Sequence, residues 1–551
     1  MTAEMTGIGV SPGAAYAPVA RLAPAPAPPA DTGPEADPAA ALQTAKAALE
    51  AVATDLDERA EAASGATADI LDAQSMMPRD PALAAQIEKA LAGGKSTAHA
   101  VIDAYGFFRT ALEAAGGYLA ERAADLDDLR DRTVAVLMGQ PMPGLPDPGH
   151  PFVLVAEDLA PADTAQLDPT TVVAVVTEQG GPTSHTAILA KSMGLPAVVA
   201  CTAAAALTDG TEVLVDGGTG LVVPGPDPAR VRRVLDAEAR RAAALEASRG
   251  PGRTADGRAI QLLVNLGSQA DLAAAAAVDS EGVGLFRTEF LFLDRETEPN
   301  VDEQIEAYGQ VFAAFSGRKV VVRTLDAGAD KPLAFVDHGD EPNPALGVRG
   351  IRLARTEAGA SLLDGQLTAI AAAAAKHTAD VWVMAPMVAT PGEAAAFADR
   401  CRAHGLAAAG TMIEVPAAAL RASRVLEACD FASLGTNDLG QYTLAADRMN
   451  GALAELLDPW QPALLDLVSL AAEAGREAEK PVGVCGEAAS DPLLACVLVG
   501  LGVTSLSMAP SAVAAVRAEL ATRTLADCAG MAAEALLADD AAEARRLVAA
   551  F

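Results

Sequence analysis

The sequence predicts a multidomain α/β protein: an N-terminal α/β domain carrying an inserted helical bundle, then a C-terminal (β/α)8 barrel. Three observations predict it. Eight short apolar runs alternate with helical or irregular stretches after Asp256. Five of those runs end in reactive polar residues, as the catalytic end of a barrel does. A helical zone with no strand-like run separates one N-terminal strand from four later ones.

In chain order, "GIGVSPGAAYAPVARL" within residues 1–22 reads as a strand with Gly/Pro turns. The low-complexity "APAPAPPADTGPEADP" that follows is a stiff, extended connector. From Asp37 to Arg132 the period is helical, with breaks expected near Ser64-Gly65, Pro78 to Pro81 and Gly93-Gly94. That makes about four helices, within a predicted insertion over 31–140. Their 9 basic and 17 acidic residues describe a solvated bundle surface. Past the Pro/Gly-rich loop from Pro141, "FVLVAE", "TVVAVVTE", "LPAVVA" and "EVLVD" are short β runs. Residues 141–228 are expected to share one domain with 1–22. "DPARVRRVLDAEARRAAALEASRG" then reads as one long helix linking two domains over 229–255.

The barrel is expected over 256–551, from "IQLLVNL", "GVGLF", "KVVVRTL", "VWVMAPM", "TMIEV", "FASLG", "VGVCG" and "TSLSM". Arg287, Arg323, Glu414, Asn437-Asp438 and Cys485 stand at or just past the ends of five of these runs. Pro492 to Val516 carries no charge and is long enough to span a bilayer. Gly500, Gly502 and Pro510 punctuate it as a helix–turn–strand–turn passage, so it is read as barrel core.

Composition narrows the function. The 551 residues carry a net charge of −33, which excludes a general nucleic-acid or anionic-membrane binder. Six Cys are scattered without a CxxC pair, so neither a disulfide framework nor a structural zinc site is expected, and a reducing cytoplasm fits. The N-terminus has no basic and apolar regions of a signal peptide.

"GGPTSHTAILAKSMGLPAVV" is similar to the phosphohistidine loop of phosphoenolpyruvate-using phosphotransferases. "GVGLFRTEFLFLDR", "VVRTLDAGADKPL", "NPALGVRGIR", "MIEVPAAA", "SLGTNDLGQYTLAADR" and "VCGEAASDP" follow in that family's order. With "GIGVSPG" and the helical insertion, the whole chain resembles the enzyme I family of the bacterial sugar phosphotransferase system.

Gly180 and Gly181 allow a tight turn before a helix that places His185 in its first turn. The helix dipole and free N–H groups there favour added negative charge, which suits a phosphoryl acceptor. Thr183 or Ser184 is available to orient the ring. By resemblance His185 takes the phosphoryl group on Nε2. Arg287, Arg323 and Arg448 match the family's substrate arginines, whose forks fit the phosphate and carboxylate of phosphoenolpyruvate, and Arg349 is grouped with them. A surface ion pair is the competing expectation for Arg349. Asn437 matches a substrate-binding residue, and Asp438 faces both substrate and metal.

Glu414 and Asp438 are spaced to hold one Mg²⁺, and neither motif supplies a nearby basic partner. Cys485 matches the family's proton donor to pyruvate enolate, and an ordinary thiol pKa suits that role near neutral pH. The other five Cys read as small buried hydrophobes. The resemblance further implies HPr as carrier, bound on the helical insertion, and a homodimer through the barrel. Four departures from the family pattern stand out: Pro182 for Arg, Ala327-Gly328-Ala329 for Ile-Gly-Gly, Met449 for Gly, and Gln74 for a His expected on the carrier-binding face. Two rival readings, a dikinase relative and a phosphoenolpyruvate-binding regulator without turnover, fit less well. The first lacks a nucleotide-binding stretch, and the second leaves the full catalytic set without a use.

Overall fold

The computed structural model describes residues 4–22, 29–62, 66–115, 123–140, 142, 144–146, 148–159, 167–181, 184–293, 295–328, 332–336, 341–448 and 450–551. It divides into two compact units, Met1–Arg241 and Ala242–Phe551.

The first unit holds an eight-stranded sheet: β1 (Met5–Thr6), β2 (Ile8–Ser11), β3 (Ala14–Arg21), β4 (Phe152–Ala156), β5 (Val172–Thr177), β6 (Ala197–Val199), β7 (Glu212–Asp216) and β8 (Leu221–Pro224). Their spatial order is β1-β8-β7-β3-β4-β5-β6-β2. β3, β4, β5 and β6 pair in parallel, while β7, β8, β1 and β2 join antiparallel. Because β3 pairs directly with β4, the chain between them leaves the sheet and returns to it. The single N-terminal strand expected from sequence is three, broken at Gly7 and Pro12-Gly13. β8 was not anticipated, since four residues ending in Pro read more naturally as a turn.

The helical zone contains five helices among the described residues, not four: Pro38–Ala62, Ala66–Met76, Pro81–Ala92, Thr97–Ala115 and Ala123–Leu137. The extra helix arises because the span from Thr97 is described as two, Thr97–Ala115 and Ala123–Leu137; residues 116–122 lie outside the described residues. Ala45, Leu49, Val52 and Leu56 recur at three- and four-residue steps along the first helix. They bury against Leu71, Ile87, Leu91, Tyr105 and Leu129 of the others. Asp80 starts the third helix by accepting the Ala82 N–H at 2.8 Å, just before Pro81 at the first helical position.

The predicted linker helix runs Pro228–Ala247, with Val231 its one buried residue. It ends just before Gly250 (φ 86°) and Pro251, short of 255, and the residues that follow are tied to the barrel. Gly250 and Gly252 donate to Asp279 and Glu281 at 2.6 and 3.1 Å, and Ala255 donates to the Arg523 carbonyl at 2.7 Å.

In the second unit all eight predicted runs are strands: β9 (Gln261–Leu266), β10 (Gly282–Arg287), β11 (Lys319–Arg323), β12 (Asp380–Ala385), β13 (Ala408–Ile413), β14 (Phe431–Leu434), β15 (Val482–Val484) and β16 (Ser505–Met508). They close into one parallel barrel. Leu285, Val321, Met384, Met412 and Phe431 form one apolar cluster, and their neighbours Phe286, Val322, Val383, Ile413 and Ala432 join another that includes the helices. The uncharged stretch from Pro492 is a helix to Gly500, a turn at Gly502 (φ 106°), β16, and a second helix from Val513. No described helix is long and apolar enough to cross a membrane. All six Cys are buried free thiols.

Candidate active site

In the first unit, Gly180 adopts φ 92°, a left-handed conformation that favours glycine. Gly181 does not share it, so only one of the pair is needed for the turn. His185 is the first residue of the helix His185–Met193, where sequence placed it. Ser184 is that helix's N-cap, its hydroxyl accepting the Ala187 N–H at 3.3 Å. Ser184 thereby caps the helix that His185 begins. Gly194 closes the helix with φ 66°. Thr183 and Pro182 lie outside the described residues, as do Ala329 and Met449.

In the second unit the predicted residues gather at the C-terminal end of the barrel. Arg287 and Arg323 are direct register partners at the ends of β10 and β11. Arg287 is exposed, whereas Arg323 is buried. Arg323 Nη2 donates to Glu289 Oε1 at 2.7 Å, and its Nη1 lies 3.6 Å from Asp326. Arg349, on the long loop after β11, is no surface pair; it is 3% exposed. Its Nε and Nη2 fork onto Asp326 at 3.1 and 2.8 Å, and its Nη1 and Nη2 reach the two oxygens of Asp438 at 3.3 Å each. Burial works against both guanidinium charges. The surrounding carboxylates more than offset it, so both groups are held above the ordinary arginine pKa.

Glu414 follows β13, and Asp438 lies in the first turn of the helix Thr436–Leu444 after β14. Glu414 is 1% exposed and accepts the Met387 N–H at 2.5 Å. Met387 presents that N–H from a left-handed backbone, φ 58°, a strained conformation for a residue with a side chain. Burial, then the charges of Asp326 and Asp438, push the Glu414 carboxyl well above the usual carboxylate range. The expectation that neither carboxylate has a basic neighbour is wrong for Asp438. Arg349 forks onto it, and Arg448 Nη1 stands 3.9 Å away. Arg349 comes from a distant segment, which local sequence could not place, whereas Arg448 closes the same motif ten residues after Asp438. Asn437 is half-buried, its Oδ1 accepting the Glu487 N–H at 3.0 Å.

The barrel mouth thus packs four buried carboxylates, Glu289, Asp326, Glu414 and Asp438, against two buried guanidiniums. Negative charge is in excess, and Glu414 has no ion-pair partner within 4 Å among the described residues. A hard divalent cation on Glu414 and Asp438 fits that excess and that donor set. Arg323 Nε is buried without a hydrogen-bond partner among the described residues, a donor left over for an anion.

Cys485 follows β15 and is 2% exposed. Its thiol lies against the Ser433 hydroxyl and 3.5 Å from the Leu434 carbonyl. Burial pushes it up to about 11, so the proton stays on sulfur far above neutral pH, unlike the ordinary thiol expected from sequence. The other five Cys are buried, as expected.

Sequence reading missed Glu289 and Asp326, the carboxylates that hold Arg323 and Arg349. A signal was present: Glu289 follows Arg287 by two residues and Asp326 follows Arg323 by three. It also missed Tyr442, whose hydroxyl is 3.3 Å from Arg349 Nη1. Gln74 does not lie on an exposed face. It is fully buried in the bundle, and neither its Oε1 nor its Nε2 has a partner among the described residues.

Three family models cover the chain in order. They describe the PEP-utilising enzyme N-terminal domain (residues 6–122), its mobile domain (148–220) and its PEP-binding domain (241–525). A phosphoenolpyruvate-protein phosphotransferase of Streptomyces coelicolor is 54% identical over 99% of this chain and 98% of its own. One from Haloferax volcanii is 41% identical over 92% of both chains. One from Geobacillus stearothermophilus is 37% identical over 87% of this chain and 85% of its own. Matched to that extent, the chain belongs to the PEP-utilising enzymes, in the phosphoenolpyruvate-protein phosphotransferase family.

Proposed function

We propose that this chain moves the phosphoryl group of phosphoenolpyruvate onto Nε2 of His185, releases pyruvate, and passes the group to HPr. This is the first step of sugar uptake by the phosphotransferase system, carried out in the cytoplasm by a homodimer joined through the barrel. The observation that carries the reading is the convergence of Arg323, Arg349, Glu414, Asp438 and Cys485 at the barrel mouth.

The roles follow from charge and position. Arg287, Arg323, Arg349 and Arg448 receive the substrate's two anionic groups, and Asn437 adds a polar contact. Glu414 and Asp438 hold Mg²⁺, which when bound supplies Lewis-acid stabilisation of the developing enolate. Cys485 gives its proton to the enolate carbon. His185, at the start of its helix, accepts a group whose charge the helix N-terminus favours. In-line transfer needs donor and acceptor nearly touching, so His185 must reach the barrel mouth during the reaction. The divisions proposed for this cycle are 1–22 with 141–228 for the phosphohistidine domain, 31–140 for carrier binding, and the barrel for substrate.

Incubation with labelled phosphoenolpyruvate and Mg²⁺, without nucleotide, tests the reading. Acid-labile, base-stable label on the protein that moves to added HPr supports it. A requirement for nucleotide, or binding without label, points to the dikinase or the regulator.

A further inference from the structure

Resting on the reading of Cys485 as proton donor, a second question concerns how its thiolate recovers a proton for the next turnover. The thiol is 2% exposed, so bulk water scarcely touches it even in the ligand-free barrel. Of the two groups hydrogen-bonded to it among the described residues, the Leu434 carbonyl has no proton to give. The Ser433 hydroxyl does.

Ser433 opens toward the other end of the barrel. It lines an internal cavity of about 20 Å³ together with Ser505, Ser507 and Lys319. That volume holds a water molecule, and the three hydroxyls give it the polar partners a buried water needs. Ser507 is already aligned with the proton-donor loop: its hydroxyl donates to Asn265 Oδ1 at 2.6 Å, while Asn265 Nδ2 donates to the Cys485 carbonyl at 3.1 Å. Lys319 begins β11 at the opposite end from Arg323, half-exposed, with Nζ 3.3 Å from the centroid of Trp382. It therefore touches both the cavity and the outside.

We propose that Ser433, a water in this cavity and Lys319 form a relay that returns a proton to Cys485 from the floor of the barrel, away from the substrate. The thiolate takes the Ser433 hydroxyl proton, Ser433 takes one from the water, and the water takes one from the Lys319 ammonium. Net, one S–H bond forms and one N–H bond breaks; the Lys319 amine then regains a proton from bulk water. The direction is favourable. Burial pulls the Lys319 ammonium down to about 8, with Asp380 opposing, while burial pushes the Cys485 thiol up to about 11.

The relay predicts a distinctive time course. With phosphoenolpyruvate, Mg²⁺ and excess HPr, the first turnover uses the proton already on sulfur, and only later turnovers need the relay. Rapid-quench assays of Ser433→Ala and Lys319→Arg should show a normal burst of one pyruvate per site, then a steady rate about ten-fold or more below wild type. Arginine keeps the charge and the stacking on Trp382 but does not release a proton near neutral pH. Ser433→Thr, which keeps a hydroxyl, should restore the steady rate. Later turnovers at the wild-type rate in both blocked variants would overturn the relay. So would loss of the burst itself in both, which marks a structural role. Cys485→Ala separates the two readings: a normal burst there removes Cys485 as donor, whatever the other variants do.

Discussion

Arg349 is clamped between Asp326, on which its Nε and Nη2 fork at 3.1 and 2.8 Å, and Asp438, which it meets at 3.3 Å. Asp326 thereby fixes the direction in which a proposed substrate arginine points. Removing one partner of a buried pair leaves the other charge uncompensated, at about 3–5 kcal/mol. Because Asp438 remains beside Arg349, Asp326→Ala should destabilise the barrel by about 3 kcal/mol, at the low end of that range. Both tryptophans of the chain, Trp382 and Trp460, lie in the barrel unit, so urea unfolding followed by tryptophan fluorescence reads that unit alone. Affinity for a phosphoenolpyruvate analogue should also fall about ten-fold, the weight of one charge-assisted hydrogen bond. Unchanged stability and affinity would mean that Asp326 positions nothing.

A second prediction isolates the acceptor. His185→Ala should abolish phosphoprotein formation and leave phosphoenolpyruvate binding to the barrel nearly intact, because the proposed substrate groups all lie in the other unit. Acid-labile, base-stable label persisting in the variant would count against His185.

A third concerns the cation. Glu414→Ala and Asp438→Ala should each lose the Mg²⁺-dependent part of analogue binding, measured by titration calorimetry. Of the two, Asp438→Ala should also lower stability more, since it takes a partner from Arg349 while Glu414 has no paired cation to strand. Equal affinity with and without Mg²⁺ in wild type and both variants would sink the proposed metal site.

The fourth prediction runs against the usual sign of a core substitution. Gln74 buries an amide whose two polar atoms have no partner among the described residues, and each unsatisfied buried group costs about 1–3 kcal/mol. Gln74→Leu keeps nearly the same shape without those groups. It should stabilise the bundle by about 1 kcal/mol or more, seen as slower amide exchange in the helix Ala66–Met76. Phosphoryl transfer to HPr should be unaffected, since a fully buried side chain offers a carrier nothing to touch. Faster exchange, or impaired transfer, would return Gln74 to a functional role.

The barrel was legible because each strand is a short apolar run bounded by breaks, and a fully buried parallel strand needs no partner information to be recognised. Residues at the strand ends were legible for the same reason: position in the run fixes position in the barrel. What escaped was whatever depends on two distant segments meeting. Asp326 and Arg349 are 23 residues apart along a loop, and nothing local says that one grips the other. Of the basic partners of Asp438, Arg448 ends the same motif, but Arg349, which forks onto it, was invisible from there. Gln74 was set on the carrier-binding face by resemblance alone, from the His the family has there; packing of the other helices over it buries it instead. The bound at 255 overshot the linker helix because, past the Gly250-Pro251 break, the residues belong to the barrel: Asp279 and Glu281 capture Gly250 and Gly252.

That last difference sharpens a test of the division of labour. The proposed acceptor His185 lies in Met1–Arg241, whereas Arg323, Arg349, Glu414, Asp438 and Cys485 lie in Ala242–Phe551. A barrel fragment begun at Asp256 would discard the hydrogen bonds that Gly250, Gly252 and Ala255 make to the rest of that unit, so the cut belongs between Arg241 and Ala242. The fragment 1–241 should exchange phosphoryl groups with phosphorylated HPr and take none from phosphoenolpyruvate. Phosphoenolpyruvate's two anionic groups need the arginine cluster for any residence, whereas HPr already presents its phosphoryl group on a nitrogen, and transfer between imidazoles needs mainly positioning. The fragment 242–551 should bind phosphoenolpyruvate with Mg²⁺ and never become labelled. Label from phosphoenolpyruvate on 1–241 alone would put the substrate site in the wrong unit. The need for His185 to travel to the barrel mouth would fall with it.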